Sequence, residues 1–175
     1  MSRRNKSQII AAIDVGSHVL SMKVVEVNEL EEIKTLELLR QPISLGRDTF
    51  AMGKVSFETV DKTCEILKGF KQIMIDYDIK TYRAVATSAV REARNKDYII
   101  DQIRLKTGLD IDVIGNSEER LLTYKSIRNH LQTHKDMKKN GAIIVDIGSG
   151  SIQVSVYDQD KLTFSQNIKL GSLRI

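Results

Sequence analysis

Two short segments with the composition of anion-binding turns stand 132 positions apart, Asp14-Val15-Gly16-Ser17 and Asp146-Ile147-Gly148-Ser149. Each closes an apolar run, and each keeps Asp, Gly and Ser in the same order. An aspartate at the end of a buried strand, followed by a tight Gly-Ser turn, presents a carboxylate beside unpaired backbone N–H groups. That combination suits a phosphate together with a bound cation. Glycine serves here because a Cβ would keep the backbone from approaching phosphate oxygens and would penalise positive φ. One such turn also describes an ordinary hairpin, whereas two at the same place in a repeated unit describe a pair built to handle phosphoryl groups.

Other reactive side chains have plainer readings. Cys64 cannot form an internal disulfide as the single cysteine, and it falls on the apolar stripe of a predicted helix, which makes it a small buried side chain rather than a nucleophile. His130 and His134 lie one helical turn apart with no third ligand nearby in sequence, the pattern of an exposed pair rather than a zinc site. The net charge of +4 comes with no aromatic-basic interleaving, so no specific nucleic-acid partner is expected. No apolar run approaches the ~20 residues of a membrane helix, and the start Met1-Ser2-Arg3-Arg4 leads into a short strand rather than a secretory core, so a cytoplasmic protein is expected.

The elements that must carry the two turns follow from periodicity. Residues 9–14 form a continuous apolar run that reads as a buried strand. Residues 20–27 alternate Leu20, Met22 and Val24 against Ser21 and Lys23, and residues 33–39 supply a third strand before the lone Pro42. Ser56 caps a helix to about Tyr77, on which Val60, Cys64, Leu67, Phe70 and Met74 recur at helical steps. Then come a strand at 82–86, a helix at 96–107 stopped by Gly108, a strand at 111–114 and a helix at 117–134. A three-stranded meander followed by alternating helices and strands predicts an α/β unit with a mixed sheet flanked by helices.

The opening then repeats. Residues 142–149 match residues 10–17, and Ile152, Val154 and Val156 fall where Leu20, Met22 and Val24 stood, with a third strand at 162–170. A repeat of this kind predicts a duplicated domain. The expected organisation is a first domain over 1–134, a linker over 135–141 and the incomplete start of a second domain over 142–175. Three strands without covering helices should leave apolar surface and an open edge, so a fragment or truncated product is expected.

Several segments taken together carry a family resemblance: 12–17 around Asp14, Ala84-Val85-Ala86-Thr87-Ser88-Ala89-Val90-Arg91-Glu92-Ala93, Ile114-Gly115-Asn116-Ser117-Glu118-Glu119-Arg120, 145–151, and Leu170-Gly171-Ser172-Leu173-Arg174. In order and spacing the chain resembles the N-terminal portion of the exopolyphosphatase and guanosine pentaphosphate phosphohydrolase (Ppx/GppA) family. The resemblance implies an actin-like ATPase (ribonuclease H-like) domain with a mixed five-stranded sheet, plus the first three strands of a second such domain. It implies a hydrolase releasing terminal orthophosphate from inorganic polyphosphate or guanosine pentaphosphate, and a homodimer for the full-length protein. Glu119 matches the catalytic glutamate. Arg91 matches the phosphate-contacting arginine, with Asp14, Gly16, Ser17, Gly148, Ser149, Gly150 and Ser151 as further phosphate-binding positions. Asp14 and Asp146 are the expected carboxylates for Mg²⁺ or another divalent cation.

Hydrolysis of a phosphoanhydride needs an in-line water, a carboxylate to orient or deprotonate it, and positive groups on the transferred oxygens. Glu119 supplies the carboxylate, and Arg91 with the turn N–H groups supplies the positive charge. The chain departs from the family pattern at His18-Val19, where Asn-Ser is usual, and at Ser149 and Gln153, where the usual run is Gly-Gly-Gly-Ser-Thr-Glu. A carboxylate at 153 would help hold metal or water, and a neutral amide supplies no such charge. The alternative reading is therefore a degenerate member that binds polyphosphate or alarmone without turnover. An ATP-using actin-like kinase is disfavoured by the 87–93 segment.

Overall fold

A computed structural model describes residues 7–133, 140–158 and 161–174, with side chains described outside 129–133. The chain divides into two compact units, Met1–Val113 and Ile114–Ile175.

In the first unit, strands β1 (Gln8–Val15), β2 (Val19–Val27), β3 (Ile33–Pro42), β4 (Thr81–Ala86) and β5 (Asp112–Val113) form one sheet in the order β3-β2-β1-β4-β5. β1 runs antiparallel to β2 and parallel to β4, so the sheet is mixed, as the order of elements predicts. Pro42 ends β3, an edge strand where its missing N–H interrupts no ladder. Four helices follow from the same stretch of chain: α1 (Leu45–Met52), α2 (Phe57–Asp76), α3 (Ser88–Glu92) and α4 (Lys96–Thr107). Ser56 caps α2 by accepting the Thr59 N–H at 3.2 Å, and Gly108 ends α4 at φ +68°, a conformation most side chains resist.

The core lies between one sheet face and these helices. Ile13, Val15, Leu20, Met22 and Val24 meet Val60, Cys64, Leu67, Phe70 and Met74 of α2 and Ile99 and Ile103 of α4. Alternate residues of the same strands, Ala12, Asp14, Lys23 and Arg83 among them, are exposed. The burial of Cys64 agrees with its place on the helical stripe.

The second unit contains α5 (Asn116–Thr133) and an antiparallel sheet of β6 (Ala142–Ile147), β7 (Ile152–Asp158) and β8 (Lys161–Ile168). Along β7, Gln153, Ser155 and Tyr157 are buried while Ile152, Val154 and Val156 are partly exposed. Tyr157 packs its ring 6.2 Å from that of Tyr124 on α5. The same strand pattern therefore recurs in both units, but with apolar side chains buried in the first and polar ones in the second.

Three differences from the sequence expectation stand out. Helices α1 and α3 were not anticipated. The strand expected at 111–114 pairs over only Asp112 and Val113, with Ile111 and Ile114 buried on either side. Helix α5, expected within the first domain, clusters with the second unit. Residues 134–139, which include His134 and most of the expected linker, lie outside the described residues, as does the His130 side chain.

Candidate phosphate-binding site

The sequence repeat is a repeat of geometry. At the end of β1, the Gly16 N–H donates to the Val19 carbonyl at 3.2 Å; at the end of β6, the Gly148 N–H donates to the Ser151 carbonyl at 2.9 Å. A Cβ on Gly16 would sit 2.7 Å from the Val19 oxygen, closer than such contacts occur, whereas one on Gly148 would sit 3.3 Å from the Ser151 oxygen. Glycine is thus demanded sterically in the first turn and favoured in the second.

Asp14 projects from the exposed face of β1, with Oδ2 only 3.7 Å from the position a Gly16 Cβ would take, so its carboxylate flanks the turn backbone. Ser17 is buried, and its Oγ shares a 3.0 Å hydrogen bond with the Oγ of buried Ser88. The Thr87 N–H reaches the Val15 carbonyl at 3.4 Å, and the Arg91 N–H reaches the Thr87 carbonyl at 2.9 Å. These bonds bring the first turn and the Arg91 segment together: Arg91 rides on α3, half-buried, one turn beyond a serine fastened to Ser17. His18 is exposed, and Val19 joins β2 opposite Pro42.

In the second unit, Glu119 occupies the first turn of α5, half-buried, with its N–H on the Gly115 carbonyl at 3.0 Å. A carboxylate there meets the positive end of the helix dipole. Asp146 is exposed on β6 and pairs across the sheet with Gln153, which in turn pairs with Asn167 of β8. The Gln153 amide nitrogen donates to Ser155 Oγ at 3.3 Å, and Ser155 shares a 2.8 Å bond with Ser165. Asn167 Oδ1 is buried and has no hydrogen-bond donor among the described residues. Gly150 is buried, and Gly148, Ser149 and Ser151 are partly exposed.

Among these groups Asp14, Glu119 and Asp146 offer carboxylate oxygens, the kind of ligand a hard divalent cation takes. No group of three His, Cys, Asp or Glu side chains gathers among the described residues. Mg²⁺ commonly keeps several waters and takes only one or two protein carboxylates, so the aspartate of either turn is a ligand of the kind it accepts. Two parts of the site were missed in the sequence: Ser88 as the partner of Ser17, and the backbone of residues 170–174 as a neighbour of the second turn. The Leu-Gly pairs at 45–46 and 170–171, at equivalent places in the repeat, were the available signal for the latter.

Residues 23–175 match the profile of the Ppx/GppA phosphatase family. The chain belongs to that family. Among curated relatives of this Ppx/GppA chain, exopolyphosphatase 1 of Mycobacterium tuberculosis is 25% identical over 95% of the chain and 47% of its own length. The guanosine-5'-triphosphate,3'-diphosphate pyrophosphatase of Photobacterium profundum is 26% identical over 98% of the chain and 33% of its own length. The chain therefore spans about half or less of these relatives. The solved structure of an exopolyphosphatase from Cytophaga hutchinsonii superposes with a TM-score of 0.86 at 24% identity, covering 95% of the chain and 52% of that protein. Its likeness shows that the Ppx/GppA chain has the actin-like fold that the family resemblance implies.

Proposed function

We propose that this chain serves a phosphoanhydride hydrolase of the exopolyphosphatase class, which releases terminal orthophosphate from inorganic polyphosphate or guanosine pentaphosphate. The observation that carries the proposal is the matched pair of aspartate-flanked glycine turns, closed by the same hydrogen bond, in a member of the Ppx/GppA phosphatase family. The names of the curated relatives support both substrates equally.

In this reading the backbone N–H groups of residues 16–17 and 148–151 and the Arg91 guanidinium bind phosphate oxygens. They offset the charge that spreads over those oxygens as the terminal phosphoryl group departs. Glu119 orients and deprotonates the attacking water from the first turn of α5. Asp14 and Asp146 would hold Mg²⁺, which when bound supplies further charge neutralisation at the substrate oxygens. The working protein is a cytoplasmic homodimer without a specific nucleic-acid partner.

The test is phosphate release from long-chain polyphosphate and from guanosine pentaphosphate by the complete gene product, beside Glu119→Gln. Loss of a general base lowers kcat by about 10²–10⁴-fold. Equal rates in the two proteins would sink the role of Glu119, and tight binding of either substrate without release would favour the degenerate binder.

A further inference from the structure

In each unit the loop after the third strand reaches back and holds the carbonyls of the glycine turn. In the first unit, the Gly46 N–H donates to the Ser17 carbonyl at 2.7 Å and the Ile43 N–H to the His18 carbonyl at 2.9 Å. In the second, the Leu173 N–H donates to the Ser149 carbonyl at 3.0 Å and the Ser172 N–H to the Gly148 carbonyl at 3.2 Å. Arg174 Nε adds a short bond to the Gly150 carbonyl. Ser17 and Ser149 are equivalent in the repeat, so the same carbonyl is gripped in both units. Both gripping loops contain a Leu-Gly pair, Leu45-Gly46 and Leu170-Gly171.

The consequence follows from the planar trans peptide. The carbonyl of one residue and the N–H of the next share a plane and point in opposite directions. Holding the carbonyls of Gly148, Ser149 and Gly150 toward the 170–174 loop therefore turns the N–H groups of Ser149, Gly150 and Ser151 away from it. None of these three N–H groups donates to another described residue. Three consecutive free amides directed to one side form a concavity for an anion, and their orientation is set before any ligand arrives.

The loop can come this close only because residue 171 is glycine. A Cβ there would collide with the Ser149 carbonyl and the Gly150 nitrogen, both backbone atoms that cannot step aside singly.

We propose that residues 170–174 form a brace that presets the amides of Ser149, Gly150 and Ser151 for a phosphate group, with Gly171 and Arg174 as its positioning residues. The anion's identity rests on the phosphatase reading; the brace itself does not. The experiment is amide NMR on the ¹⁵N-labelled chain, with tripolyphosphate as the probe, comparing parent, Arg174→Met, Arg174→Lys and Gly171→Ala. Tripolyphosphate should shift the 149–151 resonances of the parent. Arg174→Met keeps the aliphatic stem without the donor, and should weaken binding at least tenfold and move the turn resonances even without ligand. Arg174→Lys, which retains a charged donor, should recover part of both effects.

A general loss of fold is separated by the circular dichroism and Tm of Arg174→Met, which keeps the aliphatic stem of this half-buried residue and is expected to leave both near the parent. Parent-like turn resonances and parent-like affinity in Arg174→Met and Gly171→Ala would overturn the brace. A parent that ignores tripolyphosphate would overturn the phosphate assignment, while displaced unliganded turn resonances in Arg174→Met would still establish the brace.

Discussion

Gln153 occupies the position where the family pattern places a glutamate, and the structure shows what the amide does there. Its side chain is only 8% exposed, its nitrogen is committed to Ser155, and Asp146 and Asn167 flank it across the sheet. A neutral group suits that position in the absence of a cation: burial penalises a charge, and Asp146 next door would repel a second carboxylate. Gln153→Glu is therefore expected to destabilise the metal-free protein by about 1–3 kcal/mol, the range for a buried polar group left without its partner. Urea denaturation in EDTA measures this cost. Added Mg²⁺ should restore much of it if the row faces the cation, and a variant indifferent to Mg²⁺ would move the metal elsewhere.

At the level of elements, the start of α2 shows how several weak local terms combine. Ser56 accepts the Thr59 N–H, and also donates its hydroxyl to Asp48 Oδ2 at 2.7 Å while its own N–H donates to the same oxygen at 3.0 Å. Burial pushes the Asp48 carboxyl up, but the hydrogen bonds from Ser56 and Thr59 and the charge of Arg47 outweigh it and hold the pKa below the ordinary value. A depressed folded pKa means that the ionised group stabilises the fold above the unfolded pKa, about 3.9, and that this stability is lost as pH falls through the lower folded pKa. Asp48→Asn should thus flatten the acid limb of Tm against pH below about pH 4. Ser56→Ala should flatten it too and cost about 1 kcal/mol at neutral pH through the lost cap. An unchanged acid limb in both would remove Asp48 from the account.

Elements with long periods were legible in the sequence, and short or tertiary features were not. The 20-residue α2 and the alternating β2 declare themselves through repeated apolar positions. The five-residue α3 is too short to show a period, and α1 has eight residues whose core contacts are made by only part of its length. At the site, the Asp-x-Gly-Ser repeat was readable because it lies within consecutive residues. The Ser17–Ser88 bond joins side chains 71 positions apart, and the grip of residues 170–174 is made largely by backbone N–H groups together with the Arg174 side chain, so its sequence signal is faint. Only the fold brings such partners together.

At the scale of the whole molecule, the two units use one strand pattern with opposite results. In the first, the apolar face of the meander is buried under helices. In the second, Ile143, Val145 and Ile147 of β6 and Phe164 and Ile168 of β8 are exposed, Ile143 by 72% and Ile147 by 68%. The open apolar face that the sequence predicts is present. Each Å² of such surface removed from water is worth about 25 cal/mol, so a face of several large side chains drives association with whatever apolar surface it meets. Ile143→Thr with Val145→Thr keeps β-branched residues in the strand and removes apolar area only where it is exposed. The pair should leave the unfolding free energy measured in urea within about 0.5 kcal/mol of the parent, because exposed substitutions remove no packing. It should lower the fluorescence of a bound hydrophobic dye and reduce concentration-dependent association in sedimentation. A loss of several kcal/mol instead would show that this face is covered in solution, with Ile143 and Val145 part of a packed interface.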